Sequence, residues 1–195
     1  MKKNKEEKYI WDLNIEPKLE LLDEEMKHYI NVCKEKLGMV PNVILANASD
    51  QDRLKNFVNF YNRLMLKEGH LSKLEREMIA VVVSSCNKCF YCLIAHGAAV
   101  RQLSKNQYLG DELMINYRSA SLSIRHKLML DFSYKLTENP SKIDNSDRNI
   151  LREAAFSEEE ILEIVEVTSF FNMSNRIAAG TDMRPNAEYH NMARE

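Results

Sequence analysis

An all-α fold is predicted by three features of this sequence. Only five Gly and four Pro occur in 195 residues, which favours long regular elements over many tight turns. Apolar residues recur at steps of three and four over long stretches. No segment shows sustained strand alternation. A chain of 195 residues can bury one sizeable core, whereas two independent domains would be cramped. Residues 1–17, with Trp11 and Pro17, read as an irregular N-terminal arm, and residues 18–195 as a single helical domain.

The helical pattern begins at Lys18, where Leu21, Leu22, Met26, Tyr29, Ile30, Cys33 and Leu37 share a face and Gly38 is a plausible stop. Pro41 suits the first position of a short helix over residues 42–48. Asp50 is a candidate cap for a third helix carrying Leu54, Phe57, Phe60, Tyr61 and Leu64, with Gly69 ending it. Ser72-Lys-Leu-Glu75 is a capping box, and Ser104-x-x-Gln107 and Ser157-x-x-Glu160 repeat the signal. Further helices are expected over residues 121–138 and 146–155. Segments 72–87 and 157–172 also echo one another, with Ser72/Ser157, Glu75/Glu160, Ile79/Ile164, Val82/Val167, Ser84/Ser169 and Asn87/Asn172 coinciding. That echo is either a chance likeness of two capped helices or the trace of a duplicated helical hairpin.

Composition narrows the function classes. A formal net charge of -2 gives no reason to expect nucleic acid, and the basic residues of segment 1–8 are diluted by Glu6 and Glu7, as in a solvated tail. The charged N-terminus lacks the apolar run of a secretory signal. The longest apolar run, residues 78–83, is far too short to span a bilayer. Four cysteines without an export signal suggest a reducing cytoplasm, where a Cys-x-x-Cys is more often catalytic or metal-binding than structural.

The most informative residues are Glu77, Cys89, Cys92 and His96. On one straight helix Glu77 and Cys89 would stand about 18 Å apart and could not cooperate. The Ser84-Ser-Cys-Asn87 segment holds weak helix formers, and Asn87 is a good N-cap. If the chain reverses there, Glu77 and His96 lie about equally far from the bend and face each other on antiparallel helices. Cys89 then falls in the first turn of the second helix, where free N–H groups and the macrodipole favour a thiolate. An unperturbed thiol is only about 3% ionised at pH 7, so that help matters to rate. Cys92 lies one turn deeper on the face of His96. Helix neighbours have Cβ atoms about 5–6 Å apart where a disulfide wants about 3.8 Å, so a Cys89–Cys92 bond needs only a small distortion, as a reversible redox pair requires. Glu77 shares the apolar stripe of Leu74, Met78 and Val81, while Glu75 and Arg76 are expected to point elsewhere. A carboxylate on that stripe needs a partner, and His96 is the candidate.

Glu, eleven residues, Cys-x-x-Cys, three residues, His: with Glu77, Cys89, Cys92 and His96 the chain resembles the alkylhydroperoxidase-D-like (AhpD-like) branch of the carboxymuconolactone decarboxylase superfamily. Gly38-Met-Val-Pro-Asn42, Leu71-Ser-Lys-Leu-Glu75-Arg-Glu77, Asn172-Met-Ser-Asn175-Arg176 and Pro185-Asn-Ala-Glu-Tyr189 extend the resemblance to its small peroxidase-related members. The resemblance implies an AhpD-like helical bundle with the Cys-x-x-Cys motif at a helix N-terminus. It implies assembly into a homo-oligomer, a trimer or hexamer, and thiol peroxidase activity with no metal or other cofactor. Carried over, Cys92 attacks the hydroperoxide substrate, Cys89 resolves the sulfenic acid, and Glu77 with His96 relays protons. A dithiol reductant, lipoyl or thioredoxin in type, then reopens the disulfide. Where the well-studied branch has a second histidine before the second cysteine, this chain has Tyr91, a poor base at neutral pH. Decarboxylation is not implied, because the name-giving enzyme lacks the cysteine pair.

Three other readings compete. Cys86-x-x-Cys89-x-x-Cys92-x-x-x-His96 mimics an iron–sulfur or zinc run, although a continuous helix would array these ligands along a line. A general thiol–disulfide reductase needs the same cysteines, and a non-catalytic, oligomeric stress-associated protein would keep the motif as a vestige. Phe170, Phe171, Asn172, Asn175 and Arg176 have two readings. Either the Phe pair packs in the core and the polar residues cap helix ends, or, as the resemblance suggests, they line the pocket over Cys92, as Tyr91 would, or an oligomer interface.

Overall fold

The computed structural model describes residues 10–194. They form ten α-helices and, among the described residues, no strand. The helices are α1 (Glu24–Leu37), α2 (Asn42–Asn47), α3 (Gln51–Tyr61), α4 (Lys73–Cys86), α5 (Phe90–Ser104), α6 (Leu109–Asn116), α7 (Ile124–Glu138), α8 (Asn145–Glu153), α9 (Glu158–Gly180) and α10 (Glu188–Asn191). The fold is the expected all-α one. The basic segment 1–8 lies outside the described residues.

Helix α4 is the axis of the core. From Met78 to Val83 every residue is 0% exposed, because α5, α6, α7 and α9 surround it. A helix that is apolar all round must be buried, and this one takes its two ends from polar chemistry. Ser72 opens it with a capping box to Glu75, and Ser157 opens α9 in the same way with Glu160. Arg125, at the start of α7, spans the two boxes, with 2.5 Å contacts to Glu75 Oε1 and Glu160 Oε1. The two echoing segments therefore meet at one guanidinium.

Several boundaries differ from those the sequence suggests. The first helix is capped by Asp23, and residues 19–21 form only a short 3-10 turn on which Leu21 stands 68% exposed. Asp23 competes better because its carboxylate accepts the Met26 N–H. Gly38 ends α1 in the left-handed conformation, at φ 72. Pro41 is the N-cap of α2, one position earlier than expected. Asp50 does cap α3, which runs on as a wider π turn over Asn62–Leu66 and stops at Lys67. Gly69 therefore does not end it. A Cβ there would lie 2.6 Å from Glu163 Oε1, so the glycine admits that carboxylate to the loop, where it accepts the His70 and Leu71 N–H groups.

Ser104 caps nothing. It is the last residue of α5, and the chain turns at Lys105, φ 56, before α6 starts at Leu109. Helices α7 and α8 take Ser123 and Asp144 as caps. Glu75 and Arg76 are also not outward-facing, at 7% and 1% exposed. Arg76 donates to the carbonyls of Leu64, Lys67 and Leu71 and pairs with Glu163 at 3.2 Å. A buried guanidinium is tolerable only when its donors are filled in this way.

The C-terminal segment returns across the cysteine-bearing end of the bundle. Asn186 accepts the Asn42 N–H and donates to the Val40 carbonyl, and Asn42 donates to the Arg184 carbonyl. Ile10 and Asp12 pair through their backbones with Arg184 and Thr181. Buried Arg101 donates to the Tyr189 and Met192 carbonyls, fastening α10 to α5. Among the described residues no helix is long and apolar enough to cross a membrane.

Candidate active site

The chain reverses between α4 and α5 over Asn87, Lys88 and Cys89. Lys88 takes a positive φ of 55, and the Cys89 N–H returns to the Ser84 carbonyl. The sequence places the N-cap at Asn87, but Asn87 closes α4 and Cys89 itself is the N-cap of α5. The Asn87 side chain is engaged elsewhere, donating to Asn172 Oδ1 at 3.1 Å and to Asn175 Oδ1 at 3.0 Å. That engagement ties the turn to α9.

The antiparallel hairpin brings Glu77 Oε2 to 2.7 Å from His96 Nδ1. Both side chains are largely enclosed, at 9% and 12% exposed. Phe171 meets the His96 ring edge-on, with centroids 4.5 Å apart, and restricts its rotation.

Cys89 and Cys92 are each 1% exposed, and both thiols are unpaired covalently. The Cys92 thiol donates to the Cys89 sulfur. This, aided by the Tyr91 and Cys92 N–H groups and the nearby His96, brings Cys89 down to about 7 against the opposing cost of burial. The sulfur draws on those N–H groups without closing a capping hydrogen bond. Cys92 is held well above the ordinary thiol range, first because its proton is the one shared with Cys89 and then by burial. Asn175 and Ser174, both on α9, act on Cys92 in the opposite direction. A negative charge on the pair is therefore favoured on Cys89, at the α5 N-terminus.

A cavity of about 520 Å³ reaches this chemistry. Cys92, Tyr91, Glu77, His96 and Ser174 form part of its wall, with Tyr61, Tyr189, Phe170 and Phe171 beside them. Cys89 is not in the wall, so an entering molecule meets Cys92 first. The Tyr91 hydroxyl accepts the Val43 N–H at 3.2 Å and so caps α2, and burial holds its proton far above neutral pH. Asn175, 1% exposed, lies behind Cys92 and donates to Ser84 Oγ. Asn172 and Arg176 are outside the wall. Arg176 folds back on Asn172, donating to its carbonyl and to its Oδ1.

Residues that sequence reasoning missed are Tyr61, Tyr189 and Ser174. Tyr189 and Ser174 lie inside the Pro185-Asn-Ala-Glu-Tyr189 and Asn172-Met-Ser-Asn175-Arg176 segments, and Tyr61 reads only as part of the third helix's apolar face. The four-residue metal run is split, since Cys86 is the last residue of α4 and Cys89 is the N-cap of α5. Among the described residues no three His, Cys, Asp or Glu side chains are grouped to hold a metal ion.

The fold recurs in solved structures. A peroxidase-related protein of Silicibacter sp. TM1040 is 51% identical, with 100% of this chain and 99% of that one covered, at a TM-score of 0.92. The carboxymuconolactone decarboxylase family model matches residues 51–107. The chain belongs to the carboxymuconolactone decarboxylase family. Within that family it is also 38% identical to a peroxidase-related protein of Ralstonia eutropha JMP134 described as an alkylhydroperoxidase AhpD core, covering 95% of this chain and 97% of that one, at a TM-score of 0.91. The debrominase Bmp8, 17% identical over 92% of this chain and 96% of its own, at a TM-score of 0.76, shares the fold. No curated protein matches the sequence.

Proposed function

We propose that the protein is a thiol peroxidase, reducing organic hydroperoxides through a Cys89–Cys92 dithiol/disulfide cycle. The observation that carries this reading is the packing of Cys89 and Cys92 beside a Glu77–His96 pair, with Cys92 in the wall of a cavity, and the lowered Cys89 thiol agrees with it. The peroxidase-related and AhpD-core relatives support it.

The reactive form has Cys92 as thiol and Cys89 as thiolate, with a transferable proton on the His96–Glu77 pair. As Cys92 sulfur attacks the terminal peroxide oxygen, its proton passes to the Cys89 thiolate. The S–O bond forms, the O–O bond breaks, and the alkoxide leaves as an alcohol with a proton from His96. Cys89 gives its proton to that pair and attacks Cys92. The S–S bond forms, and the expelled hydroxide leaves as water with that proton. The dithiol is oxidised by two electrons and the hydroperoxide reduced by two. An external dithiol of lipoyl or thioredoxin type reverses the oxidation by exchange.

The test is a free-thiol count on reduced protein before and after one equivalent of tert-butyl hydroperoxide, with peptide mapping. Rapid loss of two thiols mapping to Cys89–Cys92, abolished by Cys92→Ser, is expected. No loss within minutes would overturn the peroxidase reading in favour of a thiol–disulfide reductase or a non-catalytic role.

A further inference from the structure

The cavity lining divides by exposure. Cys92, His96 and Glu77 lie in its enclosed part, and Ile44, Phe57 and Phe170 add apolar wall. The exposed rim carries Lys36 and Lys73 among Leu37, Leu66 and Leu103, each of these leucines 38–49% exposed. Glu77, the one carboxylate of the wall, is engaged by His96. Lys73 has only a 3.8 Å contact to Glu68, whose side chain is 97% exposed. The rim is thus cationic above an apolar shaft, and the volume of about 520 Å³ is in the range of small-molecule sites.

We infer that the cavity selects an anionic, amphipathic hydroperoxide, with its carboxylate at Lys36 and Lys73, its hydrocarbon body along the shaft and its peroxide group at Cys92. This rests on the peroxidase reading for the reaction, though not for the binding. Hydrogen peroxide would leave the shaft unfilled and the lysines unused. An uncharged alkyl peroxide would use the shaft alone, whereas a long-chain carboxylic acid peroxidised part-way along its chain engages all three zones.

The experiment compares linoleic acid hydroperoxide with its methyl ester, both below their aggregation concentration, in the wild-type protein and in Lys36→Gln/Lys73→Gln. The wild type should favour the acid in kcat/KM by roughly three- to tenfold, the worth of one or two exposed ion pairs. In the double variant the acid-to-ester ratio should fall to near one. Calorimetric binding of the corresponding hydroxy acid and its methyl ester, which undergo no turnover, should show the same preference and the same loss. Equal affinity for acid and ester, or a preference that survives in the double variant, would overturn the inference. Lysine-dependent binding of the acid with no turnover of either peroxide would support the anion-selective cavity and overturn the peroxidase reading.

Discussion

Glu77 and His96 are separated by nineteen residues, yet their side chains meet at 2.7 Å because α4 and α5 reverse midway between them. The contact is walled off from solvent, so neither group has a strong competing partner. Removing the carboxylate charge while keeping its shape is therefore the clean perturbation. Glu77→Gln should fold with near wild-type stability and lower the rate of peroxide-driven Cys89–Cys92 oxidation about 10²-fold, the usual worth of a positioned proton-transfer group. Stopped-flow oxidation of the reduced variant checks this, and an unchanged rate would remove the pair from the proton path.

The shared proton of the cysteines has a pH signature. With Cys89 at about 7, the thiolate is lost as pH falls through that value and is present above it. Peroxide consumption should rise with pH through a midpoint near 7 and level off above it. Cys92→Ala removes the donating thiol, so the Cys89 midpoint should climb towards the ordinary range near ~8.5. Ultraviolet thiolate absorbance followed across the pH range reads both. A midpoint unmoved by Cys92→Ala would mean that the helix terminus alone, and not the shared proton, lowers Cys89.

Asn175 links the turn to the thiols. Its amide accepts from Asn87 and donates to Ser84 Oγ, and it lies against Cys92. Asn175→Ala strands a buried hydroxyl and half of the Asn87 amide, which should cost about 1–3 kcal/mol. Urea unfolding gives the cost. Because the turn loosens, the same variant should also form the Cys89–Cys92 disulfide more slowly.

Much of this arrangement was legible because it is local. Ser72 with Glu75, Ser157 with Glu160, and the Glu77–Cys89–Cys92–His96 spacing are short-range patterns that survive in three dimensions. The illegible parts depend on distant partners. Glu75 and Arg76 read as surface charges because Arg125, Glu160 and Glu163 lie 35 to 93 residues away from the groups they contact. Tyr61 and Tyr189 reach the cavity from distant parts of the chain, and the periodicity that puts Tyr61 on a helix face does not say that this face lines a cavity. The Asn87 cap signal misled because two α9 side chains outcompete the first turn of α5 for that amide.

Glu75 makes acid stability testable. Its hydrogen bond with His126, helped by Ser72 and Arg125 against the cost of burial, brings its carboxyl down to about 2 from 4.5. A carboxylate whose folded value lies below its unfolded one stabilises the fold above the unfolded value. That stabilisation is lost as pH falls from about 4.5 through about 2. The wild type should lose Tm over that window, and Glu75→Gln should start lower at neutral pH and converge on the wild type near pH 2. Calorimetric scans at stepped pH decide it, and parallel curves would assign the acid loss to other carboxylates.

The contact of α5 with α6 couples packing to the cavity. A Cβ on Gly110 would lie 2.5 Å from the Gly97 carbonyl oxygen and 3.2 Å from Arg101 Cγ. The nearer atom is helix backbone, which cannot swing aside as a side-chain end can, so Gly110→Ala must push α6 away from α5. Overpacking of this kind costs about 1–3 kcal/mol. Arg101 shares the contact and holds the Tyr189 and Met192 carbonyls, so the displacement should also loosen the segment that carries Tyr189 into the cavity wall. Gly110→Ala should therefore lower Tm and speed proteolytic cleavage after Arg184 or Arg194, while cleavage at sites in α7 and α8 is unchanged. A lowered Tm with uniform proteolysis would mean that α6 packs independently of the C-terminal segment.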